Sequence, residues 1–219
     1  MSDEPLIRWY WIGDHLDEIR ALTWEHLVLT GIAIGIGFAI SMVLSIVALR
    51  FRATYAPITW VTGWLYTIPS LALFAFLVPY TGLTRTTAEI GLISYTLLIL
   101  IRNTVAGIRG VPPAVLEAAT GMGYRRTRLF LEIELPLALP VIVAGLRIAS
   151  VTIVGLVTVT SIIGQGGLGQ LILDGLRRDF TTPLIVGTVL SVLLATTIDV
   201  TLVTVERLLT PWSRRRETL

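Results

Sequence analysis

The sequence predicts an all-α membrane protein with five transmembrane helices and one polar loop on the cytoplasmic side. Three observations carry that prediction. The 219 residues are 54% apolar and only 15% charged, well below the roughly 25% charge of a soluble domain. Mean hydropathy is +0.79. Five apolar segments are each long enough to span, since a helix needs about 20 mainly apolar residues to cross roughly 30 Å of hydrocarbon. They lie at 24–49, 57–80, 86–108, 135–163 and 184–208. Helices are the default because only helices and closed barrels satisfy every backbone group in lipid. These runs are too long and too continuously apolar for barrel strands.

All 17 basic residues are arginine, and their placement sets the orientation. Segments 50–56, 102–134 and 207–219 hold eleven: Arg50, Arg52, Arg102, Arg109, Arg125, Arg126, Arg128, Arg207, Arg214, Arg215 and Arg216. The opposite side holds five: Arg8, Arg20, Arg85, Arg177 and Arg178. The richer set is cytoplasmic by the positive-inside rule, with the N-terminus outside and the C-terminus inside. Trp24, Trp60 and Trp212 fall near span ends, as an aromatic belt predicts. The pI of about 9.3 therefore reflects topology rather than nucleic-acid binding.

The first 20 residues are acidic at Asp3, Glu4, Asp14, Asp17 and Glu18, unlike a cleavable signal. Ile12, Leu16, Ile19 and Leu22 recur near helical spacing. That fits either an amphipathic helix on the outer surface or a continuation of the first span. The expected organisation is an extracytoplasmic amphipathic segment at 1–23, a membrane domain at 24–208 with a cytoplasmic loop at 110–136, and a cytoplasmic tail at 209–219.

In the second span, Pro69 and Pro79 should kink or end the helix. A helix broken at the midplane often marks a substrate path. Tyr66, Thr67, Pro69 and Ser70 are candidates for that path, as is Asn103 in the third span. The ring face of Tyr66 would attract a quaternary ammonium, although a single aromatic also suits core packing. Arg147 lies 11 residues past Pro136, roughly 17 Å deep, and Asp199 lies 9 residues before Leu208, roughly 14 Å from the same face. Buried membrane charges pair or line a cavity. The expectation is an ion pair inside the bundle, with a lining of the path as the alternative. His15 and His26 are expected at solvated surface positions.

Gly164-Gln165-Gly166-Gly167-Leu168-Gly169 satisfies G-x-G-x-x-G. A dinucleotide site needs that motif between a strand and a helix, and here it follows a span on the outer side. Gly164, Gly166, Gly167 and Gly169 read either as an outer gate loop that packs when closed or as a tight turn between helices. There is no cysteine, and no HExxH, GxSxG or ATP-binding motif. No catalytic or metal site is expected, and no cofactor in this chain.

The polar loop reads EAATGMGYRRTRLFLEIELP, residues 117–136, between two greasy spans. Pro112 and Pro113 can open a helix. Val115, Ala118, Ala119 and Met122 share a face, and Gly121 and Gly123 supply a stop. A second short helix is expected from Tyr124 to about Glu134, with Leu129, Phe130 and Ile133 inward and Pro136 opening the fourth span. So short a helix–turn–helix needs a surface to pack on.

With Glu117-Ala118-Ala119, Gly123 and Ile133-Glu134-Leu135-Pro136 at these spacings, the loop resembles that of ATP-binding-cassette importer permeases. The resemblance implies the type I importer permease fold and a coupling helix docked in a groove on an ATPase subunit. It assigns ATPase coupling to Glu117, Ala118, Ala119, Gly121, Gly123, Ile133, Leu135 and Pro136. The small alanines let a partner approach closely, Glu117 offers a carboxylate to a partner arginine, Gly123 lets the chain reverse, and the prolines stiffen both ends.

Thr67-Ile68-Pro69-Ser70-Leu71-Ala72-Leu73, Ile101-Arg102-Asn103-Thr104, Gly121-Met122-Gly123 and the 163–169 segment resemble the osmoprotectant branch of that family. That branch imports glycine betaine, carnitine, choline and related quaternary ammonium compounds; methionine and other amino-acid importers are similar in size and architecture. Relatives usually carry a Pro-Leu-Gly turn in the first span, where this chain has Ser41 to Ile46, so a straighter first span is expected. The implied partners are a second permease chain, identical or paralogous, two ATP-binding subunits supplying ATP and Mg, and an extracytoplasmic binding protein. The implied location is the cytoplasmic membrane. A stand-alone secondary carrier would need coupling-ion sites and often inverted repeats, and would leave the polar loop without a role.

Overall fold

The structure is a computed structural model and describes residues 6–211. Residues 1–5 of the N-terminal segment and Trp212, Arg214, Arg215 and Arg216 of the tail lie outside the described residues. The described residues form helices and turns throughout.

Helix α1 (Trp9–Asp14) is short and has no buried residue. Helix α2 (Leu16–Arg50) then runs for 35 residues without a break. Leu16, Ile19 and Leu22 thus belong to the first span's own helix, and only α1 remains as a separate element before it. No proline interrupts α2. Its glycines do not break it, because in lipid no water replaces a lost backbone hydrogen bond.

A 3-10 turn (Arg52–Thr54) leads into α3 (Tyr55–Thr67) and α4 (Ser70–Thr81). These two helices are bent by 95° at Ile68-Pro69. Ile68 and Pro69 are extended (ψ 127° and 131°), the conformation that a following proline imposes on Ile68. Pro79, by contrast, sits inside α4, which ends two residues later at Thr81. Helix α5 (Arg85–Arg109) is the third span. Among the described residues, four helices are long and apolar enough to cross a membrane, and the bent pair makes a fifth crossing when counted as one broken span.

The polar loop differs from expectation in its second half. Helix α6 (Pro113–Gly121) forms as the prolines predict. However, α7 (Arg126–Leu129), a π turn (Phe130–Glu134) and α8 (Leu135–Val159) join into one helical run over Arg126–Ile163. Pro136 therefore does not open a new helix. The Leu135 amide donates to the Phe130 carbonyl five residues back, and this wider turn makes room for the proline ring. A 3-10 turn (Thr160–Ile163), α9 (Leu168–Arg177) and α10 (Thr181–Leu209) complete the chain.

Helix α5 is central and packs along α2 and α8. Its Ala88, Leu92 and Tyr95 meet Leu29 and Ala33 of α2, Phe74 of α4, and Ile153 and Val157 of α8. Toward the polar loop, Ile108 meets Ala138 and Ile142. Helix α9 seats Leu168 and Leu171 against Ile19 of α2. Helix α10 packs on α8 and α9, yet only 6% of its apolar window is buried. Hydroxyls in the spans fold back on their own helix: Thr62 donates to the Ile58 carbonyl at 2.8 Å and Ser191 to Gly187 at 2.8 Å.

Candidate coupling loop and translocation path

Helix α6 ends in a Schellman cap. The Gly123 amide donates to Thr120 at 2.9 Å and the Tyr124 amide to Ala119 at 3.1 Å, with Gly123 at φ +85°. The glycine is there for that backbone shape, since a Cβ would meet nothing within 4 Å. Leu116 and Ala119 turn toward the protein, while Val115, Ala118 and Met122 stay exposed. The face grouped from the sequence is thus split. Most of its apolar side chains point outward, Met122 with 70% of its surface free. Glu117 and Gly121 are exposed beside them.

The second half of the loop buries Leu129 as expected, while Phe130 and Ile133 are only half-buried. Leu135 joins the Ile108 cluster. Val115, Glu132, Ile133, Pro136 and Leu137 line a shallow cleft between α6 and the start of α8. Arg128 grips Glu132 through Nε at 2.9 and 3.0 Å and lies 4.7 Å over the Tyr124 ring. Of the eight motif residues, Ala119 is buried, Ile133, Leu135 and Pro136 are half-buried, and Glu117, Ala118, Gly121 and Gly123 are exposed.

The path candidates fall into two groups. Tyr66, Thr67, Pro69 and Ser70 gather at the 95° bend. The Tyr95 hydroxyl of α5 donates to the Ile68 carbonyl at 2.5 Å, satisfying an acceptor that the broken helix leaves free. Tyr66 meets the Tyr95 ring edge-on at 5.9 Å and keeps 37% of its surface exposed. Thr67 donates to the Trp64 carbonyl at 2.7 Å.

Elsewhere Arg147 of α8 and Asp199 of α10 make a two-point pair, at 2.7 Å through Nε and 3.1 Å through Nη2. Glu206 adds a contact at 4.0 Å to Arg147 Nη1. Asn103 belongs to neither group. It donates to the Ile99 carbonyl at 2.8 Å and packs so close to Gly145 that a Cβ there would overlap it.

The glycine segment at 164–169 is a packed turn. Gly164 takes φ +76° and Gly167 φ +49°. Thr160 bridges the turn, its hydroxyl donating to the Gln165 carbonyl at 2.6 Å. A Cβ at Gly166 would strike the Ser161 backbone, at Gly167 the His26 backbone, and at Gly169 the Thr158 backbone. The Gly167 amide donates to Glu25 at 3.3 Å.

His26 was expected in solvent, but this packing buries it completely. Its Nε2 lies 3.1 Å from the Val154 carbonyl. Nothing in the local sequence marks that burial, which depends on a turn 141 residues away. His15 remains near the surface, stacked on Trp11 at 4.2 Å. Among the described residues no group of acidic and histidine side chains is placed to hold a metal ion.

A family model described as the binding-protein-dependent transport system inner membrane component matches residues 31–211. The choline transport system permease protein OpuBB of Bacillus subtilis (strain 168) is 37% identical, covering 91% of this chain and 92% of that one. The glycine betaine/carnitine/choline transport system permease protein OpuCB of the same organism is 34% identical, over 89% of each chain. The osmoprotectant import permease protein OsmW of Salmonella typhimurium (strain LT2) is 32% identical, over 92% of this chain and 96% of that one. Among solved structures, an inward-facing MetNI methionine ABC transporter aligns with a TM-score of 0.72 at 22% identity, over 88% of this chain and 95% of that one. An amino acid ABC transporter aligns at 0.75 and 18% identity, over 92% and 98%. These two likenesses bear on the fold alone. With the family model spanning most of the chain and the permease relatives covering nine-tenths of it, this protein belongs to the binding-protein-dependent transport system inner membrane components.

Proposed function

We propose that this permease subunit carries a small quaternary ammonium osmoprotectant, such as choline, carnitine or glycine betaine, inward across the cytoplasmic membrane. The observation that carries the reading is the relatives' identity of 32–37% over about nine-tenths of the chain, under names that specify those compounds. A second permease chain, identical or paralogous, completes the path. Two ATPase subunits dock on the α6 surfaces, and an extracytoplasmic binding protein delivers the substrate. The exposed Val115, Ala118 and Met122 beside Glu117 support the docking role, since an apolar face edged by charge suits a protein partner. ATP belongs to the partner ATPase. The loop side is cytoplasmic, on the arginine count given above.

Titration calorimetry of the cognate binding protein against choline, carnitine, glycine betaine and methionine tests the substrate class. Binding of methionine alone overturns it. ATP-driven uptake in proteoliposomes holding permease, ATPase and binding protein tests the subunit assignment. Uptake by this chain without an ATPase overturns that.

A further inference from the structure

Four arginines surround one groove at the polar-loop end of the bundle. Arg50 ends α2, Arg52 lies in the following 3-10 turn, Arg109 ends α5 and Arg126 opens α7. The groove holds about 490 Å³. Its walls include Ile46 and Leu49 from the last turns of α2, and Ile108 and Phe130. Among the described residues a single acid, Glu134, lines the groove with the four cations. Among the described residues none of the four makes an ion pair; Arg109 instead lies 4.5 Å over the Tyr55 ring.

Clustered arginines repel one another, and a bound anion relieves that repulsion. The guanidinium fork suits phosphate oxygens in particular. The walls decide among anions. Ile46 and Leu49 are the end of a membrane span, so the groove opens where hydrocarbon gives way to headgroups. Free phosphate would satisfy the rim and leave the apolar wall bare, and so would an acidic protein surface. A lipid with an anionic headgroup matches both. Basic recesses between spans at this level are suited to anionic headgroups. We propose that this groove binds an anionic phospholipid of the leaflet on the polar-loop side, its phosphate among Arg50, Arg52, Arg109 and Arg126 and its acyl chains against Ile46 and Leu49. The occupant would tie the ends of α2 and α5 to the start of α7, and so brace the base of α6.

The test uses the purified permease–ATPase assembly, exposed to equal amounts of phosphatidylglycerol and phosphatidylcholine and read by native mass spectrometry. Wild type is expected to retain phosphatidylglycerol preferentially. The Arg50→Gln/Arg126→Gln double variant should lose affinity by roughly 25-fold, at roughly fivefold per arginine. Arg177→Gln/Arg178→Gln, at the opposite end of the bundle, should retain it like wild type. Equal retention by wild type and the Arg50/Arg126 variant overturns the proposal. Displacement by inorganic phosphate assigns the site to a free anion and overturns it as well. Retention by the permease alone that vanishes when the ATPase docks assigns the arginines to a protein interface instead. Should the double variant fail to fold, photoactivatable phosphatidylglycerol on wild type decides by peptide mapping. Label at Ile46–Leu49 supports the groove, and label confined elsewhere overturns it.

Discussion

Arg147 and Asp199 stand 52 residues apart in sequence and close a two-point hydrogen bond between α8 and α10. Both side chains keep 33% of their surface open. Either charge alone within a spanning helix would lack a counter-charge and favour a shift of its helix. Paired, they tie a helix that buries little of itself to the core of the bundle.

Single and double alanine variants at Arg147 and Asp199 should show positive coupling. Interhelical polar contacts in membranes average about 0.6 kcal/mol and reach about 1.7. This pair keeps two-point geometry, but its exposure lets solvent screen it, so the coupling is expected to be positive and small. A double-mutant cycle on unfolding in mixed micelles measures it. Additive losses would mean that the contact contributes no stability.

Gly123→Ala should destabilise the α6 cap by about 1–2 kcal/mol, the usual cost of a left-handed conformation for a residue with a Cβ. Because the site is open, five-span insertion should be unaffected. Gly123→Trp adds bulk to the proposed docking surface. It should abolish ATPase co-purification or coupled uptake while the chain still inserts. Normal ATP-driven uptake by this variant would remove the coupling assignment.

The glycine turn supplies a graded comparison. Gly164→Ala meets open space and should cost about 1–2 kcal/mol from its positive φ alone. Gly167→Ala pays that cost and also drives a Cβ into the His26 backbone, adding about 1–3 kcal/mol of overpacking. Thermal unfolding in one detergent should rank wild type, Gly164→Ala and Gly167→Ala in falling order. Valine at Gly166 or Gly167 tests the fold rather than gating, because it collides with backbone. Equal stability of the two alanine variants would mean that the turn is looser than its contacts imply.

Tyr95→Phe removes the donor to the Ile68 carbonyl without changing ring volume. An unpaired buried acceptor costs about 1–3 kcal/mol, and this part-buried one belongs at the low end of that range. The loss should appear as a lower unfolding temperature, together with faster proteolysis near the α3–α4 bend. Unchanged values for both would mean that the broken helix needs no anchor from α5.

Spans, the break at Pro69, the Arg147–Asp199 pair and the start of α6 were legible in sequence because each rests on a local or solvation constraint. An apolar run has a minimum length, a proline shapes its neighbour, and a charge in hydrocarbon needs a partner. His26, the outward turn of Val115 and Met122, and the join of α7 to α8 were not legible. His26 is buried by a glycine turn from a distant segment. The outward turn of α6 depends on Leu116 and Ala119 winning the contact with the bundle. Pro136 carries the standard mark of a helix start, and only the π turn before it lets the helix continue.

Helix α2 has a mechanical consequence. At 35 residues it is about 52 Å long, well beyond the hydrocarbon thickness. Toward its N-terminal end, Glu25 and His26 hold the glycine turn, and at its C-terminal end Arg50 lines the arginine groove. One stiff lever therefore reaches both faces of the membrane. A tilt of about 6° displaces one end relative to the other by about 5 Å over that length. The two faces share one angular coordinate, so whatever pins either end sets the position of both.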